Sequence, residues 1–269
     1  MTAEAQAGAE TAARTGASFE LIERLPFTTD EGIGATARIG LVVLSIDQTI
    51  EHEFRQVITT PGVGLYETRI PCAPQITPDS LRAMGPLITG AVELILPGAR
   101  LDVVAYGCTS GAMALGEDAV AASVRAARPD AKVTTPVTAA FAAFDALGAK
   151  RIAVLTPYGS DVNAIVRDYI TERGYEVPVF GSFNEPEDRV VARIDASSLR
   201  TAMRRITEGR SVDAVFVSCT SLRLVEAVSA LEREIGLPVT SSNHAMAWHC
   251  PRLAGVTEKR PELGRLFEL

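Results

Sequence analysis

Two cysteines stand at matching points of a repeated pattern. Leu101–Ala114 reads LDVVAYGCTSGAMA and Val212–Glu226 reads VDAVFVSCTSLRLVE. In each, an Asp and an apolar, β-branched run lead into Cys-Thr-Ser, at Cys108-Thr109-Ser110 and at Cys219-Thr220-Ser221, 111 residues apart. A thiol placed where a strand hands over to a helix meets unpaired backbone N–H groups and the positive end of the helix dipole. Both favour thiolate, so each cysteine is expected to act as a base or nucleophile near neutral pH. The neighbouring Thr and Ser hydroxyls and N–H groups, at Thr109, Ser110, Thr220 and Ser221, can hold a carboxylate. If both thiols face one cleft, one can remove a proton from the carbon beside a carboxylate and the other can deliver one to the opposite face. That is a proton transfer needing no cofactor, with fixed donors stabilising the enolate-like charge. A single Cys-Thr-Ser reads as a capped helix with a buried thiol, but burial alone does not require the same triplet twice.

The remaining candidates are less specific. Tyr158, in Pro157-Tyr158-Gly159 after an apolar run, is either core or a ligand-facing hydroxyl. Asp47, at the end of the first such run, either meets a ligand or caps the next helix. His52, in Glu51-His52-Glu53-Phe54-Arg55, reads as part of a solvated face, whereas His244 follows Ser241-Ser242-Asn243 at a strand end and could assist the site from behind. The three histidines share no metal-ligand spacing, and neither a Gly-x-Gly-x-x-Gly nor a phosphate loop is present. Neither a metal nor a cofactor is therefore expected. Cys72 and Cys250 read as small buried apolar residues.

The elements that must position these groups follow from the apolar runs. Arg38–Ile46 is a near-continuous run of the kind buried on both faces of a parallel sheet, and Gly64–Ile70 is a second strand. Thr77-Pro78-Asp79-Ser80 starts a helix that continues, interrupted at Gly85-Pro86, to Pro97-Gly98. Leu101–Tyr106 is the third strand, followed by a helix from Cys108 to near Ala127. A short strand over Lys132–Thr134 and a helix over Val137–Leu147 come next. At Arg151 the pattern restarts: Arg151–Thr156 echoes Arg38–Leu44 at a spacing of 113, close to that of the cysteines. Helices are expected over Asp161–Glu172, Asp195–Thr207 and Leu222–Ile235, with strands over Tyr175–Phe183, Ala214–Val217 and Pro238–Thr240. Asn243 opens a last helix.

Alternating strands and helices imply an α/β fold. It is expected as two pseudo-symmetric, doubly wound parallel-sheet (Rossmann-like) lobes, with the site between them at the strand C-termini. The expected organisation is a flexible lead over residues 1–37, lobe 1 over 38–137 and lobe 2 over 138–240, with residues 241–269 packing back on lobe 1. With 269 residues, a net charge of −7 and no basic block, the chain offers no electrostatic footprint for nucleic acid or for a membrane surface. No apolar run approaches the ~20 residues of a membrane span, and the first twenty lack the form of a secretory signal. A cytoplasmic protein acting on a small carboxylate is expected, as a homo-oligomer such as a dimer.

These residues resemble the aspartate/glutamate racemase superfamily, in particular its branch of maleate cis–trans isomerases, arylmalonate decarboxylases and ectoine-utilisation proteins. The resemblance rests on the two Cys-Thr-Ser junctions, on Arg38–Thr49 and on Thr156–Asn163, and it runs from Arg38 to Gly255. It implies that Cys108 and Cys219 are the catalytic pair, that Thr109, Ser110, Thr220 and Ser221 hold the carboxylate, and that Tyr158 shares the pocket, with Asn163 in the same motif. Arylmalonate decarboxylases have Gly at the first cysteine, so Cys108 points to an isomerase or racemase. Maleate isomerases have Ser-Asn where this chain has Asp47-Gln48, and an acidic residue suits an ammonium-bearing substrate better than a dicarboxylate alkene. Glutamate racemases have His where this chain has Ser221, a role His244 could take over. The expected activity is racemisation or isomerisation beside the carboxylate of a small amino acid or related acid. The alternatives are a maleate-type isomerase in which a cysteine adds to the double bond, and a non-catalytic protein that binds small carboxylates.

Overall fold

The computed structural model describes residues 20–269, and most of the expected N-terminal lead, residues 1–19, lies outside them. Residues 20–30 carry almost no regular structure, and Glu31–Leu269 forms one compact unit. That unit is built on two four-stranded parallel sheets with the same strand order. The first contains β1 (Ala37–Leu44), β2 (Val63–Ile70), β3 (Val103–Gly107) and β4 (Lys132–Thr134), in the order β2-β1-β3-β4. The second contains β5 (Arg151–Thr156), β6 (Glu176–Ser182), β7 (Ala214–Val217) and β8 (Val239–Ser241), in the order β6-β5-β7-β8. The architecture is the α/β pair of doubly wound, Rossmann-like sheets that the sequence predicts.

The repeat has a physical basis. In β1, Ile39, Leu41, Val42 and Val43 are fully buried, as are Val103 to Tyr106 in β3 and all four residues of β7. β-branched residues fit such pleats, and each buried side chain contributes about 1.5–3 kcal/mol of apolar transfer. The Asp that precedes each third strand closes the sheet at its other end. Asp102 accepts the backbone N–H of Arg38 at 2.8 Å, and Asp213 accepts those of Lys150 and Arg151 at 2.9 and 2.7 Å. The repeated Asp is therefore a register pin at the start of the central strands, and the cysteines lie at their far ends.

Helices flank the sheets. In the first half these are α1 (Ile50–Val57), α2 (Pro78–Arg82), α3 (Ile88–Glu93), α4 (Thr109–Leu115), α5 (Glu117–Ala127) and α6 (Pro136–Leu147). In the second they are α7 (Ser160–Glu172), α8 (Asp188–Val191), α9 (Ala196–Thr207), α10 (Val228–Ile235) and α11 (Ser242–Leu253). Thr77 forms the expected cap with Ser80, and Asp195 caps α9 through the N–H of Ser198. Two expected helices differ. The one after Cys108 is cut at Gly116, whose φ of 85° favours glycine, into α4 and α5. The one behind Cys219 starts late: residues 220–224 form an irregular turn, Val225–Ala227 is a 3-10 turn, and α10 begins only at Val228. Helix α11 crosses back onto the first half, where Ala245, Met246, Trp248 and Cys250 share a core with Ile39, Leu41, Val43 and Phe54.

Candidate active site

In a doubly wound sheet the strand C-termini open onto a crevice. Here the crevice receives Cys108, Thr109 and Ser110 from the end of β3, together with Tyr158, Asp188, Cys219 and Thr220 from the second half. It holds about 420 Å³ of non-atom space, mouth included, and its remaining wall is largely apolar, with Leu44, Ile46, Ile76, Leu81 and Met84. At its edge a lone antiparallel bridge, Gln75 to Glu187, joins the loop after β2 to the loop after β6.

The first cysteine corner is local. Cys108 leaves β3 in an extended conformation and caps α4, its Sγ accepting the Gly111 N–H at 3.3 Å. A side chain at position 111 would place Cβ 2.8 Å from that Sγ and 2.9 Å from the Tyr106 hydroxyl, so Gly111 is a packing requirement of the thiol. The Ser110 hydroxyl is directed at Cys108 and Tyr158. Thr109 lines the crevice, but its hydroxyl donates to Ser242 at 2.7 Å and fastens α4 to α11.

The second corner is held from a distance. Cys219 follows β7 into the irregular turn, its Sγ accepting the Ser221 N–H at 3.4 Å and bonded by the Tyr158 hydroxyl. The hydroxyl of Thr49 donates to the Ser221 carbonyl at 3.0 Å, and Asn243 Nδ2 donates to the Thr220 carbonyl at 2.7 Å. Glu53, on α1, accepts the N–H groups of Leu224 and Val225 and, through its other oxygen, Asn243 Nδ2. These are the orphan donors that a regular helix would have left for a capping side chain. The Ser221 hydroxyl donates to Asp188 Oδ1 at 2.7 Å.

Several expected site residues take other roles. Asp47 is buried and its Oδ1 accepts the N–H groups of Thr49 and Ile50, so it caps the start of α1 and does not line the crevice. Its Oδ2 is buried without a hydrogen-bond partner among the described residues. Gln48 is exposed and outside the crevice. Asn163 is a buttress: its amide donates to the Tyr158 carbonyl at 2.7 Å and its oxygen accepts the Thr156 hydroxyl, which fixes the Tyr158 loop from behind. Ser221 acts through Asp188 and is likewise not a lining residue. His244 cannot assist the chemistry. It is fully buried, Nε2 donates to the Leu263 carbonyl at 2.8 Å, Nδ1 accepts from Thr240, and burial pushes its pKa down to about 4.

Three residues escape the sequence reading. Cys72, taken there as apolar filling, lines the crevice. Asp188 does too, from within a charged loop. Glu53 is not singled out from the charged stretch around His52, yet Ile50, Glu53, Phe54 and Val57 are the buried positions of α1. Their i, i+3, i+4, i+7 spacing was available in the sequence and would have placed Glu53 on the inner stripe.

Burial dominates the electrostatics. It pushes both crevice thiols up to about 12, against the Gly111 N–H and Ser110 hydroxyl at Cys108 and the Tyr158 hydroxyl and Ser221 N–H at Cys219; the charge of Asp188 adds to the rise at both. The thiolate expected from the helix end is thus outweighed by desolvation. Tyr158 is raised well above its usual range by burial and by Cys219. Glu53 is raised to about 7, Asp47 to about 6, and Asp188 moves up as well, each chiefly by burial. Among the described residues no Arg, Lys or His lines the crevice, and no cluster of His, Cys, Asp and Glu has the arrangement of a metal site. No helix among the described residues is long and apolar enough to cross a membrane.

This geometry, two thiols on one crevice between paired parallel sheets, defines a cysteine-dependent α/β enzyme. The chain belongs to the arylmalonate decarboxylase family, whose model matches residues 88–267. It is 34% identical over 137 residues to an arylmalonate decarboxylase of Bordetella bronchiseptica, covering 50% of this chain and 57% of that one. It is 30% identical to a maleate isomerase of Nocardia farcinica, over 86% of this chain and 95% of that one. A solved cysteine-to-serine variant of a Nocardia farcinica maleate cis–trans isomerase, carrying a covalently bound succinylcysteine intermediate, superposes with a TM-score of 0.78 at 26% identity, over 86% of this chain and 98% of that one. The chain is an enzyme of this isomerase and decarboxylase branch of the aspartate/glutamate racemase superfamily.

Proposed function

We propose that the protein is a two-cysteine racemase or isomerase acting at the carbon next to the carboxylate of a small amino acid or related acid. The observation that carries this reading is the convergence of Cys108 and Cys219, from equivalent ends of two repeated sheets, on one small crevice. One sulfur, as thiolate, takes the proton from the α-carbon. The electron pair left behind spreads into the carboxylate, and the opposite thiol gives its proton to the other face. The two sulfurs end the turnover with their protonation exchanged. The Ser110 hydroxyl and the backbone at Thr220 are placed to hold the carboxylate, and Tyr158 donates to whichever charge sits on Cys219. Because desolvation disfavours an isolated thiolate here, the base forms against the bound substrate and is not a resting ion.

A second reading has a specific observation behind it. The covalent succinylcysteine intermediate in the related maleate isomerase supports addition of the Cys108 sulfur to one carbon of a double bond while Cys219 gives its proton to the other, rotation about the resulting single bond, and elimination in which Cys219 takes the proton back and the Cys108 sulfur leaves. Proton NMR in D2O separates the two, using maleate, aspartate, glutamate, 2,4-diaminobutyrate and its N-acetyl form. Deuterium at Cα of an amino acid together with racemisation, the racemisation being lost in Cys108→Ala and in Cys219→Ala, is the outcome for proton transfer. Conversion of maleate to fumarate with no such exchange rejects it.

A further inference from the structure

Asp188 is the one charged side chain on the crevice wall among the described residues. It is 6% exposed and comes from the start of α8, at the edge where the loops after β2 and β6 meet. Its Oδ1 accepts the Ser221 hydroxyl at 2.7 Å, and the residue lines the crevice. Its charge is felt at both Cys108 and Cys219. A carboxylate this far buried, with no ion-pair partner among the described residues, is costly unless something positive arrives to meet it.

We infer that Asp188 is the specificity-determining residue of the site, and that it selects a carboxylic acid carrying an ammonium group over a dicarboxylate. This rests on the proton-transfer reading above and names the substrate class for it. A dianion such as maleate would bring two negative charges into a crevice that already holds one and supplies none of the opposite sign. An amino acid instead lays its ammonium against Asp188 while its carboxylate faces Ser110 and the backbone at Thr220. A second, side-chain ammonium improves the balance, since the substrate then carries a net positive charge against the net negative wall. The same cation performs a second service. It is the positive charge that a thiolate at Cys108 or Cys219 needs and that the protein itself does not provide there, so binding and activation of the base are coupled. Asp47, the acidic residue that the sequence nominates for this contact, caps α1 through Oδ1 and does not line the crevice.

Asp188→Asn is the informative variant, because the amide oxygen can still accept the Ser221 hydroxyl and the fold is retained. Isothermal titration calorimetry of the wild-type protein with 2,4-diaminobutyrate and with maleate is expected to show the diamino acid binding at least about 10-fold more tightly. In Asp188→Asn the diamino acid is expected to lose about 10- to 100-fold in affinity, the range for hydrogen bonds to charged groups, while maleate gains. Asp188→Glu should keep the wild-type order of preference. Wild-type protein that binds maleate as tightly as the diamino acid, an unchanged preference in Asp188→Asn, or no binding of either ligand overturns the inference. Deuterium exchange at Cα in the same samples keeps the two claims apart. The predicted preference without exchange sinks the proton-transfer reading alone, and exchange with an unaltered preference sinks the role of Asp188 alone.

Discussion

The two cysteine corners begin alike and are supported differently. At the first, what holds the Cys108 thiol lies within a few residues, namely the extended cap conformation, the Gly111 N–H and the absence of a side chain at Gly111, and a long-range tie runs from Thr109 to Ser242. At the second, the chain after Cys219 makes no helix of its own for several residues. Its carbonyls and N–H groups are satisfied by Thr49, Glu53 and Asn243, which lie far away in sequence and come from the other half or from α11. The same triplet thus sits in one corner whose thiol is held mainly by its own neighbours and in one corner clamped from a distance. The clamp is also what ties the second cysteine to the first sheet, so the distance between the thiols depends on α1 and α11 and not on the two sheets alone.

Removing either thiol gives the largest effect and tests whether the corners are functionally equal. Cys108→Ala and Cys219→Ala are each expected to lower racemisation by about 10³-fold or more, near the upper range for a positioned acid or base. Stereochemical NMR of the α-proton checks this, and retention of near wild-type rate in either variant would mean that the corners are not partners. Tyr158→Phe strikes the clamped corner most directly, because the hydroxyl it removes bonds Cys219. Its expected cost is about 10- to 100-fold in kcat with an intact fold, read from kinetics beside a melting curve.

Glu53→Ala breaks the clamp itself. It leaves the N–H groups of Leu224 and Val225 and the Asn243 amide without their acceptor, an expected loss of about 2–4 kcal/mol in a denaturant titration. The matching Gly111→Ala change is expected to disturb Cys108 alone. Glu53 also gives the clamp a pH dependence. Its pKa rises on folding from 4.5 to about 7, so the folded state holds the proton more tightly. Its contribution to stability is complete below about 4.5 and is lost as the pH rises through about 7. Asp47 acts in the same sense between 3.8 and about 6. The melting temperature is therefore expected to fall from pH 4.5 to pH 7.5, and Glu53→Gln to flatten that fall. An equal slope in the variant would remove Glu53 as its source. The smallest effect is expected at His244. With both ring nitrogens bonded to Leu263 and Thr240, His244→Gln should lower stability by about 1–3 kcal/mol and leave kcat within about threefold.

What the sequence made legible follows the same division. Contiguous apolar runs, the Asp that opens each third strand and the paired Cys-Thr-Ser are local patterns, and they were enough for both sheets, their order of appearance and the two thiols. The clamp was not legible in the same way, because its partners are separated by up to 190 positions and no short-range pattern joins Glu53 to Asn243. Asp47 was ambiguous in sequence for a physical reason: an Asp after a strand caps a helix and meets a ligand with the same atoms. Asp188 stands among Glu185, Glu187 and Arg189, in a loop whose place in the sequence suits a specificity role but whose composition does not tell which charge faces a ligand.

The central claim is that Cys108 and Cys219 serve opposite faces of one α-carbon. The most direct test follows α-proton exchange in D2O with each pure enantiomer of 2,4-diaminobutyrate, in Cys108→Ala and in Cys219→Ala. The account predicts that each variant exchanges the α-proton of one enantiomer only, with retention, and that the two variants choose opposite enantiomers. Exchange of the same enantiomer by both variants, or racemisation by either, would contradict it.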